Sequence, residues 1–254
     1  MDMPLNQLKR ALRDKRVQVG CWLSLASHAC AEICASAGFD WILIDTEHAP
    51  NDLPQVHHQL HAIAPYPVST LVRAYWNDTV LIKRLLDLGV QSLLLPYVQN
   101  AEEAKRAVAA VRYPPRGVRG VSANSRANRF GRVRDYFKHA DEEICLILQV
   151  ETRSALSQIE AIAAIDGVDG IFIGPQDLAA DFGHLGNPGH AEVQAAMADA
   201  IRRILATGKA PGILSFVEAD ARKWIEQGAL FVAVTSDQFL LARATEAVVR
   251  TYKG

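Results

Sequence analysis

The sequence has almost no net charge, with 27 basic side chains against 28 acidic ones over 254 residues. No global field draws such a chain toward nucleic acid or an anionic lipid surface, and a small-molecule partner is the default expectation. Long apolar runs are missing as well, and nothing approaches the roughly 18–20 residues of a membrane span. The opening "MDMPLNQLKRALRDKR" spaces its leucines among charges and lacks the continuous apolar core of a secretory signal. It reads as a short amphipathic helix, and the chain reads as soluble and cytoplasmic. Cysteine is sparse: Cys21, Cys30, Cys34 and Cys145 lie in apolar or helical surroundings without a CxxC pair. They read as buried, reduced thiols, not as a disulfide framework.

No GxGxxG turn follows the first β-rich run, where "CWLSLASHA" stands instead, so the signature of a dinucleotide-binding doubly wound sheet is absent. What is present is a regular alternation. Eight short β-rich runs, "VQVGCWLSL", "DWILID", "VSTLVRA", "QSLLLP", "ICLILQVE", "GIFIG", "PGILS" and "LFVAVTS", are separated by segments of helical period such as "NDLPQVHHQLHAI", "DTVLIKRLLDLG" and "RSALSQIEAIAAI". Several of these segments open on Asn, Asp or Ser and close on Gly, as helices do. Continuous apolar strands alternating with helices imply a parallel sheet covered on its outer face. Eight such units in a chain of this length predict an α/β fold, a (β/α)₈ TIM barrel, as one domain over residues 1–254.

In such a barrel the site is built where strands give way to the following loops. The second strand ends in "DTEH", giving Asp45, Glu47 and His48; the third ends on Arg73; the fifth ends with Gln149 and Glu151; the sixth runs into "GPQD", with Asp177. Alternation along the fifth strand puts Gln149 and Glu151 on the face of Cys145 and Ile147, toward the barrel mouth. Each carboxylate has a plain alternative, Glu151 as a cap for a helix near Ser154 and Asp177 as a cap for one at Leu178. Together at adjacent strand ends, however, they would repel unless a cation or a shared proton lay between them. A divalent metal completed by water and substrate oxygens resolves the conflict, and Mg²⁺ or Mn²⁺ suits that donor set better than a closed zinc site. Arg73 suits a carboxylate or a developing enolate oxygen, or alternatively a structural ion pair with Glu47 or Asp45. His48 is the natural acid or base, with Asp45 or Asp87 to orient it. His57, His58 and His61 have helical spacing but fall on a helix expected outside the barrel, and read as surface histidines.

Two more absences narrow the chemistry. None of the eight lysines stands at the C-terminal end of a strand, which removes the amine a Schiff-base aldolase needs. The seventh and eighth strands are followed by "LSFVEAD" and "VTSDQFL", without the glycine-rich turns that hold phosphorylated substrates. A long segment, "RYPPRGVRGVSANSRANRFGRVRDY", carries seven arginines from Arg112 to Arg134 and no acid before Asp135. Its length predicts a loop that covers the mouth or joins subunits. Its few aromatics argue against nucleic acid.

"DTEH" after strand two, Arg73 after strand three, "YPPRGVRG", "QVET" and "GPQDL", in that order, resemble the HpcH/HpaI aldolase family of metal-dependent class II pyruvate aldolases, from Gly20 to about Ser236. The resemblance implies reversible aldol cleavage of a 4-hydroxy-2-oxo acid to pyruvate, or hydroxypyruvate, plus an aldehyde, with Mg²⁺, Mn²⁺ or Co²⁺ as cofactor. It implies a homohexamer, a trimer of dimers with the last helix exchanged between partners, and no nucleic-acid or membrane partner. Carried over residue by residue, Glu151 and Asp177 look like the metal ligands, and Gln149 and Arg73 look like contacts to the pyruvate moiety beside Gly174 and Pro175. His48 looks like the acid/base histidine, supported by Asp45 or by Asp87 from a neighbouring subunit. Trp22, Val121 and Leu214 match an apolar pocket for the aldehyde. Gln176 departs from the small residue usual between Pro and Asp, which bears on pocket size. Two other readings remain: an acyl-CoA lyase of the citramalyl or malyl type, and a non-catalytic barrel scaffold.

Overall fold

The computed structural model describes all of residues 1–254, and in it the eight β-rich runs form a closed parallel barrel whose strands pair in sequence order, the first returning to the eighth. The strands are β1 (Gln18–Leu23), β2 (Trp41–Asp45), β3 (Ser69–Arg73), β4 (Ser92–Leu95), β5 (Cys145–Val150), β6 (Gly170–Ile173), β7 (Ala210–Leu214) and β8 (Phe231–Ser236). The helices are α1 (Gln7–Arg13), α2 (His28–Ser36), α3 (Leu53–Ile63), α4 (Thr79–Asp87), α5 (Ala101–Val111), α6 (Tyr136–His139), α7 (Arg153–Ser157), α8 (Ile159–Ala163), α9 (Pro175–Asp181), α10 (Ala191–Ala206), α11 (Glu218–Glu226) and α12 (Asp237–Lys253). The capping chemistry is as the sequence predicts. Ser27, Asp78, Asn100, Thr152 and Ser236 each accept a hydrogen bond from the backbone N–H three residues on.

Both faces of each strand are buried, which is why the strands read as unbroken apolar runs. Trp41, Leu43, Cys145, Ile147, Phe172, Phe231 and Ala233 point inward. Their neighbours Ile42, Ile44, Leu146, Leu148, Ile171 and Ile173 point out into the shell beneath the helices. Inside, Trp41 stacks on Phe231 at 4.0 Å, and Phe172 meets Phe231 edge-on at 5.9 Å. This aromatic floor needs glycine around it: a Cβ on Gly20 would fall 2.1 Å from the Trp41 ring, and one on Gly212 would fall 2.7 Å from both phenylalanines. Helix α1 seals the N-terminal end of the barrel with Leu8 and Leu12. Asn6 caps that helix and donates through its amide to the carbonyls of Gln91 and Glu143 and to the Ser92 hydroxyl.

Three expectations need correction. "RSALSQIEAIAAI" forms two short helices, α7 and α8, separated at Gln158. Cys30 is half-buried, while Cys21, Cys34 and Cys145 are buried, and all four are free thiols. The arginine-rich loop does not cover the mouth of its own barrel. Tyr113, Ala127, Val133 and Tyr136 give it a small core of its own. Its backbone is tied to the end of α4, with the Ala127 N–H donating to the Asp87 carbonyl and Arg126 donating to the Leu88 carbonyl. Arg126, Arg129 and Arg132 consequently line a cavity at the N-terminal end of the barrel, beside Met1, Pro4 and Gln91. No helix is long and apolar enough to cross a membrane. Helix α12 buries only Asp237 and leaves Leu240, Leu241, Val248 and Val249 exposed, so one chain alone does not cover its apolar residues.

Candidate active site at the C-terminal mouth

The site grows out of strand register. Asp45 and Arg73 are paired neighbours at the ends of β2 and β3. The Arg73 guanidinium grips the Asp45 carboxylate with two parallel bonds, Nε to Oδ1 at 2.9 Å and Nη2 to Oδ2 at 2.7 Å. Its remaining nitrogen lies 2.8 Å from Glu47 Oε2, an ion-pair contact without hydrogen-bond alignment. The Trp22 ring lies 5.1 Å from its carbon. A planar fork held on three sides has one orientation, which is what a positioned electrostatic contact requires.

Opposite, β5 delivers Gln149 and Glu151 to the mouth as alternation predicts. Glu151 accepts from the Tyr97 N–H at 2.9 Å and from the Gln149 amide, while Gln149 Oε1 is buried without a partner. Neither carboxylate serves as a helix cap. Thr152 caps α7, and Asp177 lies in the first turn of α9, which begins at Pro175 and not at Leu178. Gly174 is obligatory at the turn between β6 and α9, because a Cβ there would stand 2.4 Å from Glu151 Oε2.

A cavity of about 330 Å³ is lined by Trp22, His48, Arg73, Gln149, Gly174, Pro175, Gln176, Asp177 and Leu214, together with Phe172. Glu151 lies buried beside it, against Gly174. Phe172 is the residue sequence reasoning missed, although its inward position in "GIFIG" follows from the same period of two. Other expected residues lie elsewhere. Asp45 is fully engaged by Arg73 and the Glu47 N–H, and the carboxylate nearest to His48 is that of Glu47, at 3.9 Å. Asp87 lies at the far end of α4, 3.9 Å from the buried guanidinium of Arg119. Val121 is 66% exposed two residues beyond Arg119. Within one chain neither reaches the mouth. His57 and His61 lie ring to ring at 4.3 Å on α3 and gather no carboxylate.

The electrostatics are lopsided. Asp45 and Glu47 contact the single guanidinium of the mouth, while Asp177 and Glu151 lie within electrostatic reach of each other and of Glu47. Burial works to raise Asp45, but the Arg73 hydrogen bonds outweigh it and hold the carboxyl below its usual range. Burial wins at the other two glutamates. Glu47 is pushed up to about 7, with Asp45 and Asp177 adding to the push against the pull of Arg73. Glu151 also rises to about 7, with Asp177 and Glu47 adding, against the Gln149 and Tyr97 hydrogen bonds. Left to itself, the mouth compensates its excess negative charge by holding protons. The residues fit a divalent cation on that ground: oxygen donors from β5 and α9, an excess of negative charge, and a cradle kept open by Gly174.

The chain matches the family profile of HpcH/HpaI aldolase/citrate lyase over residues 18–244. It is 58% identical to a pyruvate aldolase of Rhizobium etli over 252 residues, covering 99% of each chain. It is 54% identical to a hydroxypyruvate/pyruvate aldolase of Pseudomonas aeruginosa, covering 100% of this chain and 95% of that one. In three dimensions it superposes on a family protein from Burkholderia cenocepacia with a TM-score of 0.95 and 41% identity, over 98% of this chain and 100% of the other. The barrel with its acidic mouth therefore belongs to the class of carbon–carbon lyases. The chain is a member of the HpcH/HpaI aldolase/citrate lyase family, on its aldolase side.

Proposed function

We propose that the chain is a divalent-metal-dependent class II aldolase that reversibly cleaves 4-hydroxy-2-oxo acids to pyruvate, or hydroxypyruvate, plus an aldehyde. The observation that carries this reading is the gathering of four carboxylates and one guanidinium at the barrel mouth, with Gly174 leaving room for the Glu151 carboxylate. Glu151 and Asp177 would hold the cation. When bound, Mg²⁺, Mn²⁺ or Co²⁺ supplies Lewis acidity to a 2-oxo group.

The chain's own residues do the rest. The carboxylate of a 2-oxo acid meets the turn at Gly174 and Pro175, where Gln149 would donate the second N–H of the amide that already bonds Glu151. Arg73, locked by Asp45 and Glu47, presents positive charge to the oxygen that becomes an enolate when the carbon–carbon bond breaks. His48, open to solvent at the rim, takes the proton of the 4-hydroxyl in cleavage while the enolate carbon takes a proton from solvent to become the pyruvate methyl, and addition runs both transfers in reverse. Trp22, Phe172 and Leu214 form an apolar wall for the aldehyde, and Gln176 borders it. Arg119 lies 3.9 Å from Asp87 and Gly120 packs on Lys83 of α4, so the exposed Val121 follows on the outer side of the barrel, which suits completion of a neighbouring subunit's site in a homo-oligomer. The uncovered apolar residues of α12 support exchange of that helix between the partners of a dimer in a hexamer. The acyl-CoA reading loses its main support, because the arginine-rich loop is anchored at the opposite end of the barrel from the mouth.

Exchange of pyruvate methyl protons with D₂O tests the proposal directly. We expect exchange in Mg²⁺ or Mn²⁺, its loss in excess chelator, and its recovery on adding metal back. Exchange that continues at full rate in chelator overturns the metal reading, and a borohydride-trapped pyruvate adduct on lysine overturns the class II assignment.

A further inference from the structure

The link between α9 and α10 carries a cluster that the mouth does not use. His184, His190 and Glu192 bring their ligand atoms within 4.8 Å of one another. We propose that they form a second metal site, taking Zn²⁺ or another imidazole-preferring divalent ion, that staples the α9–α10 connection. The site is independent of the mouth reaction.

An ordinary ion pair accounts for only part of the geometry. His184 Nε2 lies 3.0 Å from Glu192 Oε2, as a charged pair would. The His190 ring, however, stacks on the His184 ring at 3.5 Å, and two imidazoles this close repel if both are protonated. The Glu192 N–H points at His190 Nδ1 across 3.3 Å, so this nitrogen presents a lone pair, in a bond long enough that a cation displaces little by taking it. Two imidazole nitrogens and one carboxylate are the donor set of an open zinc site, whereas the mouth offers oxygens alone.

The scaffold is set before any ion arrives. The His184 N–H bonds to the Ala179 carbonyl, the Asn187 N–H to the His184 carbonyl, and the His190 N–H to the Asn187 carbonyl. Gly183 and Gly186, at φ of +81° and +75°, supply the turns. Coordination then asks one ring to rotate, since stacked rings do not aim both lone pairs at one point. Arg153 is the opposing charge, acting on the same carboxylate while stacked on Phe182 at 4.2 Å. By contrast, His57 and His61 also lie ring to ring, at 4.3 Å, but lack the third ligand.

The test uses Asp177→Asn protein, in which the mouth has lost a ligand. Titrated with Zn²⁺ in a calorimeter, it is expected to take up one ion per chain. Adding His184→Ala and His190→Ala should abolish uptake, Glu192→Gln should weaken it by about tenfold or more, and His57→Ala with His61→Ala should leave it unchanged. Zn²⁺ uptake that survives loss of His184 and His190, or that disappears with His57 and His61, overturns the proposal, as does no uptake at all. Cu²⁺ electron paramagnetic resonance of the same Asp177→Asn protein gives an independent reading, with coupling to two imidazole nitrogens expected and an oxygen-only spectrum counting against it. Because the mouth is disabled throughout, failure here leaves the aldolase proposal untouched, and the reverse holds as well.

Discussion

The two ends of the barrel handle charge in opposite ways. At the N-terminal end the charges beneath the floor are paired: Arg10 grips Glu143 through two bonds of 2.7 Å, and Lys9 stands 3.4 Å from Asp169, while Arg126, Arg129 and Arg132 line an outer cavity without a carboxylate partner. At the C-terminal end four carboxylates crowd a mouth with one guanidinium, which Asp45 and Glu47 already occupy. The first arrangement closes the fold beneath an aromatic floor. The second is electrostatically incomplete, and an incomplete charge set is a demand for a ligand. Stability and chemistry have been assigned to opposite ends of the same strands, which is the division of labour this barrel architecture allows.

Substitutions at the two ends should therefore fail in different currencies. Trp41→Ala removes the ring that stacks on Phe231 and fills the space over Gly20, and should cost about 3–5 kcal/mol in denaturant unfolding. The protein that remains folded should keep its turnover within a few-fold, and a turnover collapse matching the stability loss would merge the two ends. Asp177→Asn should do the converse. It should lower kcat/KM by about 10²–10³-fold, the scale for removing one electrostatic element of a site, while the metal-free protein gains stability, by about 1 kcal/mol, as like-charge repulsion is relieved. A metal-free Asp177→Asn protein that melts earlier than the parent would show that the mouth is not frustrated.

Much of this contrast is legible in the sequence. The eight apolar runs become strands at their expected places, and polar residues at strand ends mark the mouth because strand alternation is strict. Cys145, Ile147, Gln149 and Glu151 share one face wherever the neighbouring strands lie. What could not be read depends on contacts distant in sequence. The sequence offers Asp45 both as a support for His48 and as an ion-pair partner for Arg73, and only the register of β2 against β3 decides, giving it to Arg73. By length alone the arginine-rich loop suits either a lid or a subunit contact, and its own aromatic core and its bonds to Asp87 and Leu88 remove the first of these for its own mouth. Gly174 reads as a simple turn until Glu151 is seen against it.

The pH dependence of stability sharpens the comparison further. Glu47 and Glu151, at about 7 when folded against about 4.3 in the unfolded chain, keep protons in the native state that the unfolded state has already lost. Unfolding then releases protons, so metal-free stability should fall as pH rises from about 4.5 to 7 and level off above. At roughly 1.4 kcal/mol per pKa unit, the fall should be no more than about 4 kcal/mol for each group. Urea midpoints at pH 5, 6 and 7 check it: the slope should shrink in Glu151→Gln and in saturating Mg²⁺, which binds the ionised form. Stability rising across this window in the parent but not in Glu151→Gln would remove the assignment.

Glu143 should give the opposite sign and the smallest effect. The Arg10 hydrogen bonds hold its carboxyl below the usual range, against burial. Its contribution is therefore complete above the unfolded value near 4.3 and is lost only as pH falls through the lower folded value. Glu143→Gln should cost roughly 1–2 kcal/mol at neutral pH, a modest amount because Arg10 is partly exposed and its charge is screened. That cost should stay flat between pH 5 and 8 and shrink in acid, where the parent protonates the same group. Subtracting the Glu143→Gln curve from that of the parent should thus give a line rising out of acid, while the same subtraction with Glu151→Gln should give a line falling toward neutrality. Two curves of the same sign would mean that the two ends of the barrel do not differ in how they hold charge.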